Sequence, residues 1–334
     1  MPGNEFPSSM RVLEVTEYSG PDAVRLAERP VPEPKPGQAL IRVRAAGINF
    51  ADAMQTRGLY VGGPKSPYVA GLEACGEIVR LGDPNSTEPL GPNSRVMGFG
   101  PAAFAEYVVW PVRSLMALPD GWSFTQGAAF PVQWLTAHGC LKICGRIRAG
   151  ETVLIHAAAG GVGTAAIRLA KHYGATVIAT ASSAAKLDVA RQHGADHLVN
   201  YVEQDFVAEV KRLTSGRGVD LILEMVGGET FLKNVEAIVP YGRIVVFGAA
   251  SAKQASVTNV DLVFRPVEFI GYHLLVMAMR RPDLFAAQLA EISQLMAAGV
   301  ARPDEPRAIP LADGALALRE LEARQTTGKL VLVP

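Results

Sequence analysis

The segment ETVLIHAAAGGVGTAAIRLAKHYGATVIATASSAAK, from Glu151 to Lys186, constrains the fold of this chain more tightly than any other stretch. Thr152–Ile155 is a short apolar run of β type that enters a glycine-rich turn. Beyond the turn, Val162, Ala165, Ala166, Leu169, Ala170 and Tyr173 recur at helical spacing on one face. Gly174 stands where a helix-ending glycine belongs, and a second β run, Thr176–Thr180, follows. Within the turn, Ala158, Gly160 and Gly163 occupy the three positions of the G-x-G-x-x-G fingerprint, the first as alanine. Without a side chain at Gly160, a pyrophosphate can reach the backbone, and Gly163 lets helix and strand pack closely. The helix opening at Gly161 and Val162 presents unpaired N–H groups and the positive end of its dipole. A dinucleotide site is expected here.

The alternation continues. His197–Asn200, Asp220–Glu224, Arg243–Phe247 and Glu268–Tyr272 read as further strands with helical patterns between them. Ser182 or Ser183 can cap the second helix, which stops near Gly194. Such alternation predicts an α/β fold, a doubly wound parallel sheet covered on both faces. The first third has another texture. Met10–Glu17, Ala39–Ala45 and Glu77–Leu81 read as strands, and Pro30, Pro32, Pro34 and Pro36 mark an extended loop. A separate, mostly β domain is expected. From Pro282 the pattern is helix, strand, helix and a last strand, Leu330–Val333. The expected division is 1–130, 131–274 for the dinucleotide domain, and 275–334 returning to the first domain.

Composition narrows the partners. Lys plus Arg equals Asp plus Glu at 32 each, so no basic face is implied and nucleic acid is not an expected partner. Three cysteines, Cys75, Cys140 and Cys144, make no disulfide framework. No apolar run is long enough to span a bilayer, and the N-terminus does not read as a signal peptide. A reducing, cytoplasmic setting is the expectation.

The choice of nicotinamide rests on the second strand. An NAD site usually carries Asp or Glu about 20 residues after the glycines, to bind the ribose 2′-hydroxyl. From Gly160 to Leu187 there is no acidic residue. The strand tip reads Ala181-Ser182-Ser183, with Lys186 beyond it and Tyr201 after the third strand. Two hydroxyls and an ammonium suit a 2′-phosphate, which favours NADPH.

The motifs AAGINFAD (Ala45–Asp52), PYVAGLEACGEIV (Pro67–Val79), FAEYVV (Phe104–Val109), AAFPVQWLTA (Ala128–Ala137), HAAAGGVG and the terminal TGKLVLVP keep their order along the chain. In these motifs the sequence resembles the medium-chain dehydrogenase/reductase superfamily. It is similar to its zinc-free quinone oxidoreductase (zeta-crystallin-like) branch, with further likeness to the VAT-1 subgroup in GLY at 58–60, TASSAAK and GKLVLVP. The resemblance implies a GroES-like catalytic domain beside a Rossmann domain, with substrate in the interdomain cleft. It also implies a homodimer joined along the sixth strand. Zinc dehydrogenases of the superfamily carry Cys-His where this chain has Asn49-Phe50, and His-Glu where it has Leu72-Glu73. Asn and Phe supply neither thiolate nor imidazole, so no metal is expected. Without a Lewis acid, quinones and α,β-unsaturated carbonyls are the fitting acceptors, because they delocalise the developing charge themselves.

The resemblance also places individual residues. Asn49 and Tyr60 are expected near the nicotinamide, Asn49 offering an amide donor to a substrate oxygen and Tyr60 a hydrogen bond or a proton. Asp52 is read as a helix cap. A tyrosine found a few residues after the Asn in parts of the family is missing here; Met54 lies in that neighbourhood. Thr136 is expected near the nicotinamide-side phosphates or ribose. Phe247 and Gly248 follow as the place where cofactor passes close to the fifth strand, and Tyr272, His273 and Leu274 as backbone near the carboxamide. Lys329 is assigned to the cofactor from the C-terminal segment. The expected function is zinc-independent, NADPH-dependent reduction of a quinone. The rivals are reduction of an enone, enal or enoyl thioester, and an NADPH-binding structural or regulatory protein with little turnover.

Overall fold

A computed structural model describes residues 7–334. The chain divides into two units. One runs to Val132 and resumes from Pro303 to Pro334; the other is Gln133–Arg302.

The first unit is built on β3 (Gln38–Gly47), whose apolar run is buried on both faces. Ala39, Ile41 and Val43 enter one core with Ile78, Val96, Phe104, Val108 and Trp110. Leu40 points the other way, into a smaller core with Met10, Val12, Ala105 and Tyr107. Period-two alternation therefore yields two apolar faces, and a strand so placed reads as continuously hydrophobic. Ahead of it, β1 (Ser9–Val15) pairs antiparallel with β2 (Val24–Pro30) and with the short β4 (Tyr68–Val69). Helix α1 (Phe50–Thr56) leaves the end of β3, and β5 (Glu73–Leu81) returns antiparallel to it. β6 (Arg95–Phe99) pairs with β5, β7 (Tyr107–Pro111) with β3, and β8 (Leu115–Ala117) with β6; α2 (Phe124–Ala128) follows. β5 begins four residues before the strand expected from the sequence, because Gly76 interrupts the apolar pattern without interrupting the pairing.

The second unit opens within α3 (Pro131–His138), which continues as one π-helical turn, Gly139–Cys144. Its sheet comprises β9 (Thr152–Ile155), β10 (Thr176–Ala181), β11 (His197–Asn200), β12 (Val219–Glu224), β13 (Ile238–Val246) and β14 (Glu268–Gly271). All the pairings are parallel, in the order β11-β10-β9-β12-β13-β14. The order reverses between β9 and β12, the switch point at which open α/β sheets bind ligands. α4 (Gly161–His172), α5 (Ala184–Gln192), α6 (Phe206–Leu213) and α7 (Gly228–Ala237) connect the strands, and α8 (Asn259–Phe264) precedes β14. The edge strand β14 pairs only with β13 among the described residues.

The expected return to the first unit at residue 275 needs correction. α9 (Leu274–Arg280) and α10 (Pro282–Ala297) remain with the dinucleotide unit. Phe285, Ile292 and Leu295 are buried, and the Gln288 amide donates to the Leu135 carbonyl. The return begins at Pro303, with β15 (Arg307–Pro310), α11 (Gly314–Glu322) and β16 (Leu330–Val333). β16 lies antiparallel to β3, pairing Val331 with Gly47 and Leu332 with Ala46. That register sets Lys329 beside Ile48 and Asn49.

Candidate active site

In the second unit, β9 ends at Ile155 and the chain turns sharply. Ala157 takes a left-handed conformation (φ 49°), and the Gly160 N–H donates to its carbonyl at 2.9 Å. The Ala158 N–H donates across to Thr180 O on β10, at 3.1 Å. A Cβ on Gly163 would lie 2.6 Å from Ala157 O and 2.7 Å from the Ala158 Cα, a clash with backbone that cannot move aside. A Cβ on Gly160 would meet only Ala157 O, at 3.3 Å. Gly163 is therefore required by packing, while Gly160 leaves open space above the turn. Gly160 is also the N-cap of α4 and offers no capping side chain. The first N–H groups of the helix, at Gly161 and Val162, are thus left for an anionic ligand.

The tip of β10 gathers the four residues named for the 2′-phosphate. Ser182 Oγ lies 3.5 Å from the Lys186 ammonium, and the Ser183 hydroxyl accepts the Lys186 N–H at 3.4 Å as the cap of α5. Tyr201, half exposed, is drawn to the same tip by its N–H, which donates to Ala181 O at 3.2 Å. On the other side of the switch point, the Phe247 N–H donates to Glu224 O at 2.9 Å, and Gly248 packs against Met225. The Tyr272 N–H continues the sheet to Val246 O, while its buried phenol donates to Leu135 O at 3.2 Å. The His273 ring is a helix cap, its Nδ1 accepting the Val276 N–H at 3.4 Å. Leu274 and Thr136 are buried within this unit.

In the first unit, the end of β3, the start of β5 and Lys329 meet in a buried polar cluster. The Lys329 ammonium donates to Ile48 O at 2.7 Å, Asn49 Oδ1 at 3.0 Å and Glu73 Oε1 at 2.6 Å. All three of its hydrogens are thereby used, and Glu73 is fully buried. This corrects the assignment of Lys329 to the cofactor: its charge balances Glu73 inside the unit. The Asn49 amide donates to Glu73 Oε1 at 2.9 Å and to Gly47 O at 3.3 Å. Both amide hydrogens point inward, so the expected donor to a substrate oxygen is turned away from that task. The second Glu73 oxygen accepts the Val132 N–H at 2.8 Å. A Cβ on Gly47 would strike Glu73 Oε1 at 2.5 Å and Ala128 O at 2.3 Å, which explains the glycine in AAGINF. Among the described residues, no three His, Cys, Asp or Glu side chains are grouped to hold a metal ion.

Asp52 caps α1 as the sequence suggested, its Oδ2 accepting the Asn49 N–H at 2.7 Å. Its other oxygen is buried without a hydrogen-bond partner, and burial pushes the carboxyl from 3.8 up to about 7. The Lys329 charge opposes that rise and the Glu73 charge adds to it. Tyr60, on the loop after α1, has its phenol raised above the ordinary value by burial and by the Asp52 charge, so it holds its proton at neutral pH. The sequence reading missed Glu73 as a buried anion and Lys329 as its partner. The two stand 256 residues apart, and only the β16–β3 register joins them.

Two outcomes follow. Lys329→Met leaves Glu73 buried without a cation and is expected to lower unfolding free energy by about 3–5 kcal/mol in urea titration. Adding Glu73→Gln should recover most of that loss. Asp52 works in the opposite sense to a salt-bridged carboxylate. Its folded pKa lies above the unfolded one, so the native state holds the extra proton between about 4 and 7, and stability from this group falls as pH rises through that window. Asp52→Asn is expected to gain stability over the parent at about pH 8 and to gain little or nothing at about pH 4.

Comparison with known proteins agrees with this architecture. Residues 35–120 match the alcohol dehydrogenase GroES-like domain, and residues 161–293 match the zinc-binding dehydrogenase family. The chain is 33% identical to a quinone oxidoreductase of Pseudomonas aeruginosa, over 96% of this chain and 99% of that protein. It is 31% identical to the synaptic vesicle membrane protein VAT-1 homolog of Rattus norvegicus, over 97% of this chain and 84% of that protein. Among solved structures, Escherichia coli quinone oxidoreductase complexed with NADPH superposes with a TM-score of 0.90 at 28% identity, over 97% of this chain and 100% of that one. The CurK enoyl reductase gives a TM-score of 0.89 at 28% identity, over 98% and 99%. The chain belongs to the medium-chain dehydrogenase/reductase superfamily, among the homologues of quinone oxidoreductase and VAT-1.

Proposed function

We propose that this protein is an NADPH-dependent reductase that reduces a quinone without a catalytic metal. The tip of β10 carries the cofactor choice: Ser182 and Lys186 stand 3.5 Å apart beside Ser183, and no acidic residue lies between Gly160 and Leu187. Hydroxyls and an ammonium bind a 2′-phosphate, whereas a carboxylate there would repel it. When bound, NADPH supplies the hydride. The turn at Ala158–Val162 receives the pyrophosphate on backbone N–H groups.

The first unit supplies the rest. Where the zinc members of the superfamily hold a metal, this chain has Asn49 and Glu73 tied to the Lys329 ammonium. A cation fixed on the chain itself stabilises that carboxylate, so the site is electrically complete in its own side chains. Asn49 acts by capping and orienting α1, which leads into the loop bearing Tyr60. Tyr60, protonated at neutral pH, donates a hydrogen bond to the acceptor oxygen as negative charge develops there, and it or water delivers the proton. The balance is one hydride and one proton per quinone. Reduction of an α,β-unsaturated carbonyl needs the same parts, and the likeness to an enoyl reductase supports it as the second reading.

Oxidation of NADPH and NADH, each tested against an ortho-quinone, a para-quinone and a short enone with chelator present, tests the proposal. Chelator-resistant oxidation of NADPH by a quinone is expected. Turnover confined to the enone would move the assignment to alkene reduction. Silence on all three despite NADPH binding would favour a structural or regulatory role. Lys186→Glu is expected to raise the Michaelis constant for NADPH by about tenfold or more and that for NADH by little. Equal changes would remove Lys186 from phosphate recognition.

A further inference from the structure

Beneath the dinucleotide turn, four buried polar side chains form an unbroken line that neither the fingerprint nor the reaction accounts for. His156 immediately precedes the left-handed Ala157. Its Nδ1 lies 2.9 Å from the Thr180 hydroxyl, and its Nε2 lies 2.8 Å from Asn234 Oδ1. The Asn234 amide donates in turn to Glu224 Oε2. The other Glu224 oxygen accepts the N–H groups of Val226 and Gly227, at 2.6 Å and 2.7 Å. Glu224, Thr180 and Asn234 are fully buried, and His156 is 4% exposed. Phe206 packs edge-on to the imidazole, with centroids 5.1 Å apart.

The donors and acceptors admit one arrangement. A carboxylate only accepts, so Asn234 presents its NH2 to Glu224 and its carbonyl oxygen to His156. Nε2 must then carry the imidazole proton, and Nδ1 accepts from the Thr180 hydroxyl. Burial holds the ring neutral by lowering its pKa, in keeping with that tautomer. Every donor in the line points towards Glu224.

Its course across the sheet is informative. Thr180 ends β10, His156 follows β9, Glu224 ends β12 and Asn234 lies on α7. The line crosses the switch point from the strand whose tip carries Ser182 and Lys186 to the loop that opens at Met225. Both ends of that span are special backbone: Ala157 is left-handed, as are Gly227 and Gly228. A left-handed alanine carries about 1 kcal/mol of strain and persists only where its neighbours fix it. His156, clamped at both nitrogens, is such a neighbour on one side, and Glu224 fixes the loop on the other.

We propose that the Thr180–His156–Asn234–Glu224 relay is a positioning device that keeps the turn at Ala157–Gly160 in register with the loop Met225–Gly228, so that both halves of the dinucleotide are held at once. The proposal rests on the reading of this unit as the NADPH site. It assigns positioning roles to four side chains, none of which touches the reacting atoms.

The test compares two ligands on the intact protein: NADPH, followed by its fluorescence, and adenosine 2′,5′-bisphosphate, which lacks the nicotinamide half, by calorimetry. His156→Phe keeps a ring of similar size and removes both bonds. Thr180→Val is the milder variant, nearly isosteric and suited to a strand. Each is expected to weaken NADPH by about tenfold for His156→Phe and several-fold for Thr180→Val, while the bisphosphate weakens by less than about threefold. His156→Gln, which can present an N–H and an oxygen at similar separation, should recover part of the loss. Equal weakening of both ligands would mean general damage to the unit and would overturn the proposal, as would unchanged NADPH affinity in both variants. Failure of the parent protein to bind either ligand would instead refute the cofactor assignment on which it rests.

Discussion

A diphosphate can be bound by peptide N–H groups only where the backbone turns with nothing projecting from it, and the second unit is arranged around that requirement. Gly163 cannot carry a Cβ because Ala157 O and the Ala158 backbone already fill the place. The tight packing starts α4 directly under the turn, with Gly160 as a cap that has no side chain to satisfy the first helix N–H groups. The sheet order then brings β10 to one side of the turn and β12 to the other. The tip of β10, with Ser182 and Lys186, and the loop after β12 both inherit their geometry from this one close approach.

The first unit answers a different constraint, the placing of charge where water is excluded. A buried carboxylate is tolerable only with a cation and hydrogen bonds to hold it. Glu73 has Lys329, the Asn49 amide and the Val132 N–H. Asp52, its neighbour in the cluster, lacks such a set and is pushed towards neutrality instead. Two carboxyl groups in one buried region thus meet different partners, and burial raises the Asp52 carboxyl. Through Asn49 both are tied to the start of α1, the helix that leads into the loop carrying Tyr60.

Much of this was legible in the sequence where the physics is local. The Rossmann strands followed from period and punctuation, and the capping role of Asp52 from its distance to Asn49. The absence of an acid after the glycines needed only a count. What escaped depends on tertiary register. Lys329 read as a cofactor residue on the C-terminal segment, whereas β16, paired with β3, carries it to Glu73. The Asn49 amide looked available until Glu73 Oε1 and the Gly47 carbonyl took its hydrogens. α9 and α10 looked like part of the returning segment because their apolar spacing says that a face is buried but not against what. His156 was passed over because a histidine before a glycine-rich turn carries no signal of Asn234, 78 residues later.

The claim that everything else serves is that the tip of β10 selects a phosphorylated dinucleotide. Direct titration of the purified protein with NADPH and NADH, at one ionic strength, measures it without any assumption about the acceptor. NADPH should bind at least about tenfold more tightly, and the difference should narrow as salt screens the 2′-phosphate. Equal affinities, or tighter binding of NADH, would contradict the account.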